Sequence, residues 1–181
     1  FADQARTEGI PALAEALARQ PQRRRNLLIA LWSAEEIGLI GSNMFVTTPP
    51  VPLDQMAAYV NFDMVGRMQN NRLIVQATGT SPAWGRVLER ANVAAGFDLV
   101  VQPDPYQPTD VATFNQAGIA SLAFFTGSHA DYHKPSDDPD LPSDWAVLAK
   151  LARVNARICQ SIADDAERPR WLPGDFYGRR F

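Results

Sequence analysis

Four ionisable side chains stand where an enzyme of this size could use them. Glu35 and Glu36 are adjacent and follow the apolar run Leu27–Trp32. Asp63 ends a second apolar run, Met56 to Val65, and His133 lies in a polar loop after a third, Ile119 to Phe125. If those runs are strands of one sheet, the groups leave the sheet at a common rim, where open α/β sheets bind ligands. Carboxylates with an imidazole form a hard-to-borderline ligand set suited to zinc. Each residue also has an ordinary reading. A Glu pair at a helix start is favoured by the helix dipole, and an Asp before Gly66 is a common turn former. Asp110, which opens a helix, reads first as an N-cap. Asp131, Asp137 and Asp138 read as turn formers, and one of them could instead orient the His133 imidazole. His129 reads as a surface residue. Asp110, Tyr132 and Asp137 complete the candidate set, as substrate contacts or as supports for the ligands.

The elements that must position these groups follow from periodicity. Ile10, Leu13, Ala14 and Leu17 make one stripe of a helix from Gly9 to Gln20. Leu27–Trp32 reads as a buried strand, and Ile37, Ile40, Met44 and Phe45 as the next helix, with the two acids at its mouth. TTPPVP at 47–52 excludes helix and central strand. Strands are expected over Met56–Val65, Leu73–Ala77, Phe97–Val101 and Ile119–Phe125. Helices are expected from Ser81 to about Ala95, from Asp110 to Gln116 with Gly118 as its stop, and from Ser143 to Ala163. The last of these carries a stripe of Trp145, Leu148, Leu151, Val154, Ile158 and Ile162. Gly127 to Pro142 is a long polar loop of the kind that is functional or disordered. Strands alternating with amphipathic helices predict an α/β fold with a mostly parallel central sheet.

The gross numbers narrow the function classes. The chain has 181 residues, 46% hydrophobic and 20% charged, ordinary for one globular domain. A net charge of −3 offers no electrostatic case for nucleic acid, and the arginine runs at 23–25 and 179–180 are too short for a binding patch. No apolar run reaches membrane-span length. The single cysteine, Cys159, excludes an intramolecular disulfide and a thiolate metal cluster, and reads as a small core residue. The chain opens on Phe1 with no signal segment, which reads as a piece of a longer protein or a processed form.

The words WSAEEIGLIGS, NFDMVGR, FNQAGIASLAFFTG and DYHKPSDD, in this order and at these separations, resemble the M28 family of zinc aminopeptidases. The resemblance runs from Gly9 to about Ala163. It implies a three-layer sandwich of the zinc-dependent exopeptidase, phosphorylase/hydrolase-like kind. It further implies one domain over 1–181, truncated at its N-terminus with strands missing there, with a core of about 9–164 and a tail over 165–181. By resemblance Glu35 matches the general base, Glu36 and His133 ligands of one zinc, and Asp63 a ligand of a second. In the family the two zincs share a bridging Asp, and a further His completes the other site. That His has no counterpart here. Aligning Phe1-Ala2-Asp3 on the family's bridging motif puts Gln4 at the bridging position, with Asp3 one place away; aligning on Gly9 puts Ala5 there. Gln lacks the charge that screens two dications from each other.

The resemblance therefore implies a zinc-dependent aminopeptidase acting on N-terminal peptide bonds, with a peptide as its partner and the isolated chain inactive or incomplete. Two alternatives share the fold: a non-catalytic domain that binds a peptide or partner, and a glutaminyl-cyclase-like acyltransferase. An exposed sheet edge would be filled by a homodimer partner or by the missing N-terminal segment. Export to the periplasm or outside the cell is the family's usual setting.

Overall fold

A computed structural model of the chain describes residues 24–137 and 145–172, together with Glu15, Ala18 and Arg19. Its ordered elements are α1 (Ile40–Thr47), β1 (Tyr59–Phe62), β2 (Arg72–Gln76), α2 (Trp84–Asn92), β3 (Asp98–Val101), α3 (Val111–Gln116), β4 (Ser121–Phe125) and α4 (Trp145–Asp164). Short 3-10 turns precede β1 and follow β2. The expected helix over 9–20 and Asp3, Gln4, Ala5 and Asp138 fall outside the described residues, apart from the three isolated positions named above.

The strands form one sheet in the order β1-β4-β2-β3. β1 runs parallel to β4 and β2 parallel to β3, while β2 and β4 are antiparallel, so two of the three pairings are parallel. Side chains alternate across the sheet and serve two cores. Leu73, Val75, Leu122 and Phe124 face α2 and α4, where they meet Trp84, Val87, Leu88, Leu151, Val154 and Ile158. Ala77 and Ala123 point the other way, toward Val111 of α3 and Tyr59. Helices thus cover both faces, in the three layers expected. β4 sits at the centre, with Leu122, Ala123 and Phe124 at most 2% exposed. Thr80 locks this centre. Its Oγ1 accepts from Trp84 Nε1 at 2.8 Å and from the Ser121 backbone N–H at 3.0 Å. Its own proton lies between the carbonyls of Ala77 at 2.7 Å and Ser121 at 2.8 Å.

Two expectations are corrected. Leu27–Trp32 is extended, but among the described residues no strand pairs with it, and Leu28, Ile29 and Leu31 are 60%, 44% and 58% exposed. An apolar run is buried only where other elements cover it, and here no residue from Leu27 to Trp32 is fully buried. The Trp32 ring packs edge-on against Phe45 at 5.1 Å and tilted against Phe114 at 5.7 Å, and its Nε1 donates to Tyr59 Oη at 2.9 Å. The second correction concerns α4, which buries Leu151, Val154 and Ile158 as expected but leaves Trp145 exposed at its start.

Candidate active site

The two glutamates do not belong to a helix. α1 begins at Ile40 and has no acid in its first turn, so the dipole explanation for Glu35 and Glu36 falls away. They occupy instead the tip of a closed turn. The Ser33 carbonyl accepts from Gly41 N–H at 3.1 Å, Ala34 from Ile40 at 3.2 Å, and Glu35 from Gly38 at 3.1 Å and Leu39 at 2.9 Å. Two glycines make the turn possible. Gly38 adopts φ +117, a region L side chains avoid. At Gly41 an added Cβ would lie 2.7 Å from the Ser33 carbonyl oxygen. Ala34 and Leu39 take φ 58 and 56 without being glycine, the kind of strain that persists where surroundings over-determine the backbone.

Asp63 follows β1 directly, and its N–H donates to the Phe124 carbonyl at 3.2 Å. The parallel β1–β4 pairing places Phe62 beside Phe124, so Asp63 and the chain leaving β4 toward His133 emerge at one end of the sheet. Thr126 ties them further, donating through Oγ1 to the Met64 carbonyl at 2.7 Å.

His133 sits in a turn of the loop after β4, with φ 55. Its ring stacks on Tyr132 with centroids 3.9 Å apart. Its Nε2 meets Glu36 Oε1 at 2.9 Å across 97 residues of sequence. Both side chains are largely exposed, 54% for the imidazole and 70% for the carboxylate, so the contact stabilises the fold little. What it does is bring a carboxylate oxygen and an imidazole nitrogen together at the solvent-facing rim.

The supporting acids take other places. Asp137 accepts from Arg67 Nη2 at 2.8 Å and lies 3.9 Å from His129 Nε2; Asp131 accepts from Arg67 Nη1 at 2.7 Å. The acid recorded on His133 is thus Glu36, and Asp131 and Asp137 engage Arg67. The Ser136 hydroxyl and then Arg67 hold the Asp131 carboxyl below the usual carboxylate range. Asp110 does stand at the N-terminus of α3, fully buried, but its side chain makes no capping bond there. His129 is mostly sheltered, with a side chain 13% exposed, rather than a surface residue. Arg67 escaped the sequence reading although it ends the word NFDMVGR; the signal was a single arginine facing a loop rich in aspartate.

The fit to zinc rests on the donor set. Two ligand atoms bound at about 2.0–2.1 Å in a tetrahedral site lie roughly 3.3 Å apart, so Glu36 Oε1 and His133 Nε2 need part by only a few tenths of an ångström. That pair fits a zinc ion. Among the described residues no group of three or more His, Cys, Asp or Glu gathers closely enough to hold a metal alone.

Comparison with known proteins bears on the family and the fold. The profile of Peptidase family M28 matches residues 8–159. The chain is 29% identical over 114 residues to leupeptin-inactivating enzyme 1 of Streptomyces exfoliatus, covering 62% of this chain and 25% of that protein. It is 33% identical over 109 residues to an aminopeptidase of Pseudomonas aeruginosa, covering 55% of this chain and 20% of that protein. The chain thus spans about a quarter or less of the length of these curated relatives. The Legionella pneumophila LapA aminopeptidase superposes with a TM-score of 0.74 at 20% identity, over 90% of this chain and 46% of that one. BSAP, a zinc aminopeptidase from Bacillus subtilis, superposes with a TM-score of 0.61 at 23% identity, over 79% of this chain and 37% of that one. At those identities the superpositions show the α/β fold. With a profile match over most of its length and four motifs in register, this chain belongs to peptidase family M28.

Proposed function

We propose that this chain carries part of a zinc-dependent aminopeptidase site that hydrolyses N-terminal peptide bonds. The observation that carries the proposal is the 2.9 Å approach of His133 Nε2 to Glu36 Oε1. Residues this distant in sequence, on strained turns at one sheet rim, have little structural reason to meet in solvent. Glu36 and His133 would hold one zinc, and Asp63, leaving the same end of β1, would serve a second. The chemistry zinc supplies when bound is Lewis acidity toward the scissile carbonyl and toward a water.

The protein's own part is proton handling and placement. Glu35, half-buried beside Glu36 on the turn held by Gly38 and Gly41, is placed to accept the proton of the attacking water and return it to the leaving amine. Tyr132, stacked on His133, fixes the imidazole plane and presents an exposed ring to a peptide side chain. One domain with its core over about 9–164 would support this site, and the isolated chain, with no group of three metal ligands among its described residues, would turn over little or not at all.

Zinc content and hydrolysis of an aminoacyl-nitroanilide test the proposal. His133→Ala and Glu36→Ala should lower bound zinc, and Glu35→Gln should keep zinc while abolishing hydrolysis in any form of the protein that is active. Zinc content indifferent to His133 would overturn it. Turnover by the 181-residue chain alone at ordinary enzyme rates, on the order of 1–1000 per second, would overturn only the expected inactivity of the isolated chain. Ring closure of an N-terminal glutamine substrate would point instead to the cyclase alternative.

A further inference from the structure

We propose that Arg67 is a positioning residue of this site, clasping the loop that carries His133 and so holding its imidazole against Glu36. The inference rests on the zinc-site reading above and adds a residue to it.

Arg67 leaves β1 four residues after Asp63. One guanidinium spans two carboxylates: Nη1 donates to Asp131 Oδ2 at 2.7 Å and Nη2 to Asp137 Oδ1 at 2.8 Å. Those acids bracket His133, two residues before it and four after. The clasp therefore grips the His133 turn at both ends and ties it to the strand that delivers Asp63. The planar fork of Arg suits two simultaneous acceptors; the single ammonium of Lys does not reproduce it.

The three side chains are sheltered, 24%, 29% and 30% exposed, so solvent and salt screen them less than an open surface pair. Arg86–Asp165 shows the contrast, at 3.5 Å with Arg86 67% exposed. The loop adds its own braces. Ser136 Oγ donates to Asp131 Oδ1 at 2.8 Å, and the Lys134 and Asp137 N–H groups donate to Asp131 and Lys134 carbonyls. These local bonds shape the turn but do not anchor it to the sheet; the Arg67 contacts do. An anchor is needed because His133 holds φ 55, a conformation a non-glycine residue keeps only under constraint.

The test compares Arg67→Ala, Arg67→Lys and, as a surface control, Arg86→Ala in the full chain. One readout is amide hydrogen exchange of residues 128–137 without metal; the other is zinc affinity by chelator competition, with His133→Ala as the reference. Arg67→Ala should speed exchange in that loop by about tenfold or more, leave β4 and α4 amides unchanged, and weaken zinc binding by about tenfold. Arg67→Lys should give an intermediate loss and Arg86→Ala none.

Unchanged loop exchange in Arg67→Ala overturns the clasp, whatever zinc does. Faster exchange with zinc affinity within about twofold of the parent reduces Arg67 to a structural brace and overturns its role in positioning. If the Ala variant loses cooperative melting, Asp137→Asn takes its place with the same expectations. Zinc binding that ignores His133→Ala sinks the zinc reading, and the inference with it; that outcome is separate from an Arg67 failure beside a positive His133 control.

Discussion

Two apolar runs of similar composition meet opposite fates. Ser121–Phe125 is the central strand, flanked by β1 and β2 and covered by helices on both faces. Leu27–Trp32 is extended at the edge of the described fold, anchored by Trp32, with Leu28 and Leu31 more than half exposed. Hydrophobicity sets what a segment gains by burial; neighbours decide whether it collects. The same contrast divides stability from chemistry. The centre holds buried, fully bonded groups such as Thr80, whereas the rim holds strained turns and exposed ionisable groups.

The sharpest way to break this comparison is truncation in both runs. Phe124→Ala should cost about 3–5 kcal/mol, while Leu28→Ala or Leu31→Ala should stay within about 0.5 kcal/mol. Urea denaturation reads both, and equal losses would mean the edge run is buried in solution. Next in size, Thr80→Val strips the acceptor from Trp84 Nε1 and the Ser121 N–H, an expected loss of about 2–3 kcal/mol for buried donors left unpaired.

Gly41→Ala tests the rim. The new methyl would lie 2.7 Å from Ser33 oxygen, so the turn must open. We expect about 1–3 kcal/mol of strain and, in a crystal structure, Glu36 displaced from His133. His133→Ala, by contrast, should leave the denaturation midpoint nearly unmoved, since its pair with Glu36 is exposed.

The smallest effect concerns Cys159, whose Sγ donates to Asn155 Oδ1 at 3.1 Å. Burial pushes its thiol from the ordinary 9.0 to about 11. At pH 8 the folded chain should therefore carry about 100-fold less thiolate than the unfolded one and react correspondingly slowly with a thiol reagent. The sign follows from a raised pKa. Stability from keeping the thiol protonated is complete below about pH 9 and is lost as pH rises through 9 toward 11. Equal reactivity folded and unfolded would place Cys159 on the surface.

Much of the centre was legible in the chain. Alternation and helical stripes located β1 to β4 and α2 to α4 to within a few residues, because side-chain period is a local property of each element. The linked words around Glu35, Asp63 and His133 pointed to the family and to the residues worth watching. What periodicity could not supply was partnership. It marked Leu27–Trp32 as a buried strand and Trp145 as a buried residue, since it registers apolar content and is blind to what lies opposite. It put Glu35 and Glu36 at a helix mouth, although the close approach of Gly41 to Ser33 makes a turn of them.

By itself, then, the sequence determined most of the elements, the α/β class and the family, which are written in short-range patterns and linked words. Only the tertiary structure decided the strand order β1-β4-β2-β3 and the antiparallel β2–β4 contact. It also decided the grip of Arg67 on Asp131 and Asp137, and it gave a direct 2.9 Å contact to Glu36 and His133, which the resemblance had put on one zinc. Those are contacts between segments that share no local signal, and they exist because closing the fold brings separate chain ends to one rim.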